Sequence, residues 1–489
     1  MSDLEALVRT GVRKRVAAMR DLDARVGLLQ REKLLGIVER NKETEFGRAH
    51  GFRRIKSPED YAAAVPLSTA PDYHAAWKRI ENGERNVLFA DPVYAFALSS
   101  GTTGEPKKVP LTKALVRALK RASGYTTSAY MARTGNFSLL RGYALQVAAP
   151  TVVEHTRDGK PVGYITGIIG GGHSYPLHNI AIPEPAVLNI LDWAEKYTVI
   201  LQRYGDFDVR MIFGVASYIL GFLRFVMQQR GLKDIRGIWP HLELVVTSGV
   251  PLGRHRPMAA RICPDAEFVE VYLSTEAAIA CQVEPSPAGM MPMAEDLFFE
   301  FVREEEWEQP GARRLGLTEV EADVPYVLAI TTASGLYAYS LGDVVRFVSV
   351  DPPRMEIQGR LGSVLNLATE KLDAKQAESV LEKTGYEFEG FTVCPAADGA
   401  CAHEWVVEFR GAVPENATER LDSELRKANP LYSHMREGGL LMGAPVVTPV
   451  REGTFAAALR RRAGQGKVLA IYQDRKVRDE LVELSQEQA

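Results

Sequence analysis

Apolar residues in the first part of the chain recur at helical spacing. Leu4, Leu7, Val8, Val12, Val16 and Met19 fall on one face of the stretch from Met1 to Arg20, with arginine and lysine on the others. The same period continues to Ile80 and predicts an all-helical preface from Asp3 to Ile80. Within it Ser57-Pro58-Glu59-Asp60 reads as a capped helix start, with serine as N-cap, proline at N1 and Asp60 at N3. From Val93 the pattern changes to short apolar runs alternating with helical ones. Strands are predicted over Val93 to Leu98, Tyr143 to Ala148, Val209 to Phe213, Leu242 to Val246 and Glu267 to Leu273. Helices are predicted over Thr112 to Tyr130, Pro185 to Tyr204 and Ser217 to Gln229. That alternation implies an α/β fold with helix-covered, largely parallel sheets.

After Asp296 the runs shorten and turn residues separate them: Leu297 to Val302, Leu315 to Glu321, Tyr326 to Thr331, Val344 to Val350 and Met355 to Gln358. They predict a β-rich subdomain or small barrel. Beyond Leu372 a helix (Ala374 to Lys383), two strands (Phe388 to Cys394, Glu404 to Arg410), a helix (Glu415 to Lys427) and a strand (Val446 to Val450) form an α+β unit. The expected organisation is a large N-terminal domain over 1–358 and a small C-terminal domain over 359–489.

Composition narrows the partners. The 59 basic and 62 acidic residues leave a formal charge of -3, so no basic excess points to nucleic acid, and small molecules are the expected partners. No run approaches the ~20 apolar residues of a membrane span. Cys263, Cys281, Cys394 and Cys401 are too sparse for a disulfide framework and form no C-x-x-C pair, which suggests free thiols in the cytoplasm. The oligomeric state is not readable.

The chemistry gathers around Ser99-Ser100-Gly101-Thr102-Thr103-Gly104-Glu105-Pro106-Lys107-Lys108, read as a polar loop between the strand ending at Leu98 and the helix from Thr112. Four hydroxyls, two glycines that let backbone N–H groups converge, and two lysines at the exit suit a polyphosphate. Glu105 and Pro106 separate the second glycine from the lysines, so this is not a Walker A loop. Gly167 to His173 is glycine-rich but lacks a clear strand and helix around it, and reads as a turn. His173 and His178 are read as solvent-facing or satisfied rather than as bases.

This loop resembles the phosphate loop of the adenylate-forming superfamily of acyl-CoA synthetases, adenylation domains and luciferases. Asn41-x-x-Thr44-x-Phe46-Gly47, then Tyr61 to Leu67, then Val109-Pro110-Leu111-Thr112, looks more narrowly like the acyl acid amido synthetases that plants use to conjugate auxin and jasmonate, and their bacterial relatives. The resemblance runs nearly end to end. It implies ATP and Mg²⁺ as cofactors, a small carboxylic acid and an amino acid as substrates, and neither nucleic acid nor a membrane as partner.

It also assigns residues. Ser99, Ser100, Gly101, Thr102, Thr103 and Lys108 would hold the phosphates. Ser248-Gly249, after a strand, would line the purine; in Tyr272-Leu273-Ser274-Thr275-Glu276 the ring would stack on the base, the hydroxyls of Ser274 and Thr275 would meet phosphate, and Glu276 would hold Mg²⁺. Tyr339-Ser340-Leu341-Gly342-Asp343 resembles Y-R-x-G-D, with Asp343 on the ribose hydroxyls and Ser340 where arginine is usual. Gly359-Arg360-Leu361-Gly362-Ser363 looks like the interdomain hinge, with Arg360 near the nucleotide and Ser363 in place of an acidic residue. Gly453-Thr454-Phe455 and Gly464-Gln465-Gly466-Lys467 look like the G-T-F and Q-x-K elements, which makes Lys467 the candidate mobile catalytic lysine beside Glu276. The base for acyl transfer is not readable. An acyl-CoA ligase and a non-catalytic nucleotide-binding homologue remain the alternatives.

Overall fold

The structure is a computed structural model. It describes residues 2–98, 108–170, 180–249, 252, 256–285, 289–307, 309–361, 364–365, 372–397, 402–429, 432–433, 436, 442–461, 468–472 and 474–487. Two compact units divide the chain, one of residues 1–341 and 345–357, the other of residues 342–344 and 358–489.

The first unit begins with helices α1 (Ser2–Ala24), α2 (Val26–Asn41), α3 (Glu45–Ala49), α4 (Pro58–Ala64) and α5 (Ala70–Glu81). Val12 and Met19 of α1 are buried, as the apolar face requires. Ser57 caps α4 by accepting from Asp60 N, with Pro58 at the first helical position. Gln30 of α2, only 5% exposed, donates to the carbonyls of Ala294 (2.8 Å) and Leu297 (2.7 Å) and accepts from Phe299 N (2.8 Å). One buried amide thus satisfies three backbone groups and fixes where the helical preface docks.

The next elements are β1 (Val93–Leu98), β2 (Lys108–Thr112), α6 (Lys113–Thr134), β3 (Tyr143–Val147), β4 (Glu154–His155), β5 (Pro161–Tyr164) and α7 (Ile165–Gly170). Then follow β6 (Ala181–Ile182), α8 (Pro185–Leu188), α9 (Trp193–Tyr204), β7 (Val209–Val215), α10 (Ala216–Arg230), β8 (Leu244–Ser248), α11 (Arg256–Ile262), β9 (Glu267–Leu273), β10 (Ala278–Cys281) and β11 (Met291–Pro292). A seven-stranded sheet runs β11-β10-β9-β8-β7-β3-β6, parallel from β9 through β6 and antiparallel at β10 and β11. Beside it in the same unit is a four-stranded sheet, β2-β1-β5-β4.

Three expectations change here. The chain does not pass from the polar loop straight into a helix, because Val109-Pro110-Leu111-Thr112 first forms β2, antiparallel to β1; Thr112 then caps α6 by accepting from Leu115 N. Pro185 to Tyr204 is two helices, interrupted before Asp192, whose side chain accepts from Glu195 N and restarts the helix as α9. Gly167 lies in helix α7 rather than in a turn, where a Cβ would come 2.3 Å from Ala149 O.

The β-rich region holds β12 (Leu297–Arg303), β13 (Pro325–Thr332), β14 (Tyr339–Val350) and β15 (Pro353–Arg360) in one sheet of that order. It is an open sheet and not a barrel. Leu315 makes only an isolated bridge to Phe301, so the strand expected over Leu315 to Glu321 is absent.

The second unit adds β16 (Val364–Leu365), β17 (Leu372–Asp373), α12 (Ala374–Lys383), β18 (Phe388–Pro395), β19 (His403–Phe409), α13 (Ala417–Ala428), β20 (Val446–Val450), α14 (Thr454–Arg461) and α15 (Lys476–Glu487). Its core packs Trp405, Val407 and Phe391 of the β18-β19-β20 sheet against Val380, Leu421 and Leu425 of the helices. Among the described residues no helix is long and apolar enough to cross a membrane.

Candidate active site

Open parallel sheets bind ligands at the carboxyl ends of their strands, and one of the cavities lies there. It measures about 370 Å³ and lies over the ends of β7, β8 and β9 at Gly214, Ser248 and Leu273. Val12 of α1, Met131 of α6 and Ile169 of α7 close it, so three helices form its walls and the sheet its floor. Gln146 of β3 lines it too, pressed by α7 so closely that a Cβ on Gly170 would stand 2.0 Å from Gln146 Oε1. Its cations differ in their surroundings. Arg121 is held by Glu295 (2.8 Å) and Asp296 (3.3 Å), and Arg15 donates to Ser128 Oγ at 3.4 Å. Burial pushes Asp296 up to about 6, with the Arg121 guanidinium opposing it.

The turn after β9 carries Glu276. Ser274 Oγ accepts from Glu276 N (3.2 Å) and Ala277 N (3.0 Å), so this hydroxyl shapes the turn rather than standing free for phosphate. The Glu276 carboxylate accepts from the Tyr339 hydroxyl at 3.4 Å. Tyr339 is 3% exposed and meets Tyr73 edge-on at 5.5 Å. Tyr272 is buried in the core that also contains Ala277, Ile279 and Tyr339. Thr275 is half-buried.

Ser248 is buried and donates to Gly214 O at 3.3 Å. Gly249 follows at φ +80°, a conformation that favours glycine and turns the backbone away from the strand. Ser340, where arginine is usual, is 4% exposed, and its N–H donates to Ser68 O at 2.8 Å. Asp343 belongs to the second unit, next to Gly342, whose carbonyl accepts from Leu361 N. Arg360 ends β15.

Lys108 is the first residue of β2, and its ammonium lies 2.8 Å from both Glu81 and Glu154. The phosphate-loop residues Ser99, Ser100, Gly101, Thr102 and Thr103 lie outside the described residues. So do Lys467, Cys401, His173, His178 and the Arg360 side chain.

Other resembling motifs resolve into folding devices. Asn41 donates to Ile37 O and accepts from Ala90 N, Thr44 donates to Asn41 O and accepts from Gly47 N, and Phe46 stacks on Tyr337 at 4.4 Å. Gly453 N and Phe455 N donate to the two oxygens of Glu408 (2.7 and 2.8 Å), which closes the start of α14.

The donor set fits a nucleotide-bound Mg²⁺. No three His, Cys, Asp or Glu side chains cluster as a metal cage among the described residues. Mg²⁺ bound to a nucleotide needs no such cage, since one or two carboxylates suffice when phosphates and water complete its shell. Glu276, whose carboxylate accepts from the Tyr339 hydroxyl, is the carboxylate the motif offers for that role.

A parallel sheet with its cavity at the strand ends, followed by a smaller α+β unit, is the architecture of the adenylate-forming ligases. The chain is similar to a solved 2-hydroxyisobutyryl-CoA ligase in its postadenylation state, with TM-score 0.61 and 16% identity over 94% of this chain and 91% of that one. It is more similar to the GH3.15 acyl acid amido synthetase, with TM-score 0.78 and 18% identity over 96% and 95%. The indole-3-acetic acid-amido synthetase GH3.8 of Oryza sativa subsp. indica is 22% identical, over 95% of this chain and 90% of its own length. The GH3 family N-terminal domain matches residues 15–203, its central domain 290–360 and its C-terminal domain 371–476. The chain belongs to the GH3 family and is, with it, an ATP-dependent ligase.

Proposed function

We propose that the protein adenylates a small, largely apolar carboxylic acid and passes the acyl group to an amino-acid amine, forming an amide and releasing AMP and pyrophosphate. The observation that carries this reading is the cavity of about 370 Å³ at the strand ends, apolar in most of its lining, which reaches Leu273, the last residue of β9 and three residues before Glu276. Its size is at the small end of small-molecule sites.

In the first half-reaction a carboxylate oxygen attacks the α-phosphorus of ATP and the bond to pyrophosphate breaks. In the second an amine attacks the acyl carbon, AMP departs, and the amine proton passes to solvent or a base. Mg²⁺, when bound, offsets charge on the phosphates. Glu276 would hold it, with Tyr339 fixing the carboxylate's direction. Asp343 would accept from the ribose hydroxyls. Lys467 would enter with the C-terminal domain for adenylation and withdraw for transfer.

The test is ATP/pyrophosphate exchange against benzoate, phenylacetate, indole-3-acetate and octanoate. Mass spectrometry of products formed with pooled amino acids and CoA follows. Acid-dependent exchange with an amide product supports the reading, a thioester product assigns the protein to CoA ligation, and absence of exchange with every acid overturns it.

A further inference from the structure

The cavity contains a cation, Lys120, that has no partner among the described residues. Helix α6 runs antiparallel to β9: towards its end Arg133 binds Glu267, the first residue of that strand, with one N···O distance of 2.6 Å. Lys120 lies about 20 Å back along α6, at 1.5 Å per residue. That brings it to the carboxyl end of β9, where it lines the cavity together with Ser248 and Leu273. Lys120 is half-buried and has no hydrogen-bond or ion-pair partner among the described residues, whereas Arg121 beside it is held by two carboxylates. Burial alone pulls its ammonium below the usual lysine range.

A half-buried ammonium facing an apolar chamber is costly until an anion joins it, and a carboxylate entering that chamber has the same need. We propose that Lys120 pairs with the carboxylate of the acid substrate and makes the cavity selective for acids over neutral isosteres. The inference rests on the acid occupying this cavity, as proposed above. The pair forms before activation. Once the carboxylate oxygen bridges to phosphorus its charge is gone, so Lys120 contributes to capture of the acid more than to the rate of the bond-making step.

The best acid of the four-member panel is the probe. Lys120→Met should raise its KM at least tenfold in pyrophosphate exchange, with kcat and the KM for ATP changed less than threefold, and Lys120→Arg should restore most of the acid affinity. A packing role would move all three parameters together and would not be rescued by arginine. Unchanged acid KM in Lys120→Met, in an enzyme that performs exchange, overturns the role of Lys120 and leaves the ligase reading intact. Absence of exchange in the parent with every acid overturns both.

One measurement needs no variant. The primary amide of the probe acid, tested as a competitor of the parent enzyme, should bind at least tenfold more weakly than the acid. Equal binding of amide and acid overturns the proposal even if the substituted proteins fail to fold.

Discussion

The hydroxyl of Tyr339 lies 3.4 Å from a carboxylate oxygen of Glu276, a residue 63 positions earlier, and joins the two motifs that the chain carries at separate strand ends. This contact holds the carboxylate's direction from a buried phenol. Glu276→Gln keeps the shape and removes the charge, so pyrophosphate exchange should fall by about 100-fold or more, the scale of losing a few kcal/mol of transition-state stabilisation. Tyr339→Phe should cost less, about tenfold, because a long hydrogen bond from a hydroxyl to a carboxylate contributes about 1.5 kcal/mol. Parental exchange in the Glu276→Gln enzyme would remove Glu276 from the site.

Lys108 is already engaged. Two carboxylates, Glu81 and Glu154, share its ammonium, and their hydrogen bonds raise its pKa. Lys108→Met should therefore lower stability by about 1 kcal/mol or less, the range for partly exposed pairs, and change the KM for ATP less than threefold. Urea unfolding and exchange kinetics on the same preparation would check this. A large rise in the KM for ATP would show that the lysine leaves its carboxylates for the nucleotide.

Lys196 of α9 is 0% exposed, donates to Ala148 O at 3.1 Å and lies 4.3 Å from the centre of the Trp193 ring. Burial pushes its pKa down to about 8. Below pH 8 both the folded and the unfolded chain carry the proton and the full cost of burying it is present. Between pH 8 and the ordinary lysine value near 10.4 the folded chain releases the proton first, so stability rises with pH. The unfolding free energy of the parent relative to Lys196→Met should therefore improve by up to about 3 kcal/mol from pH 7 to pH 10. A difference that stays constant across urea titrations at pH 7, 8, 9 and 10 would mean that Lys196 is hydrated.

Gly47 sits where a Cβ would approach Asn41 O to 2.1 Å. Gly47→Ala must push apart the Asn41–Thr44 turn and the α3 start it supports, at a cost of about 2–4 kcal/mol. The check is a thermal melt, in which an unshifted midpoint would contradict the closeness of that turn.

Local pattern makes much of the fold legible. Val93–Leu98, Glu267–Leu273, Ala374–Lys383 and Val446–Val450 form elements with the expected bounds, since period and flanking turn residues agree there. Where a polar side chain overrides the period, pattern alone misleads. Asp192 restarts a helix that the apolar spacing by itself would continue from Pro185. β2 escapes the pattern because Pro110 argues against a strand, yet its pairing with Phe96 in β1 accommodates it. The motifs Asn41 to Gly47 and Gly453 to Phe455 are legible as words but not as folding devices, since their partners Ala90 and Glu408 lie far along the chain. Lys120 belongs to no motif. Only the docking of α6 on β9 marks it, and a cavity assembled from α1, α6, α7 and four strands leaves no contiguous trace.

Helix α1 forms one wall of that cavity through Val8, Val12 and Arg15, yet belongs to none of the strands whose ends carry Ser248 and Glu276. On the proposed reading, α1 would touch only the acid's body, while the turns after β8 and β9 would handle the nucleotide. Substitutions at Val8 and Val12 would then change which acids fit without touching the turns that carry Ser248 and Glu276.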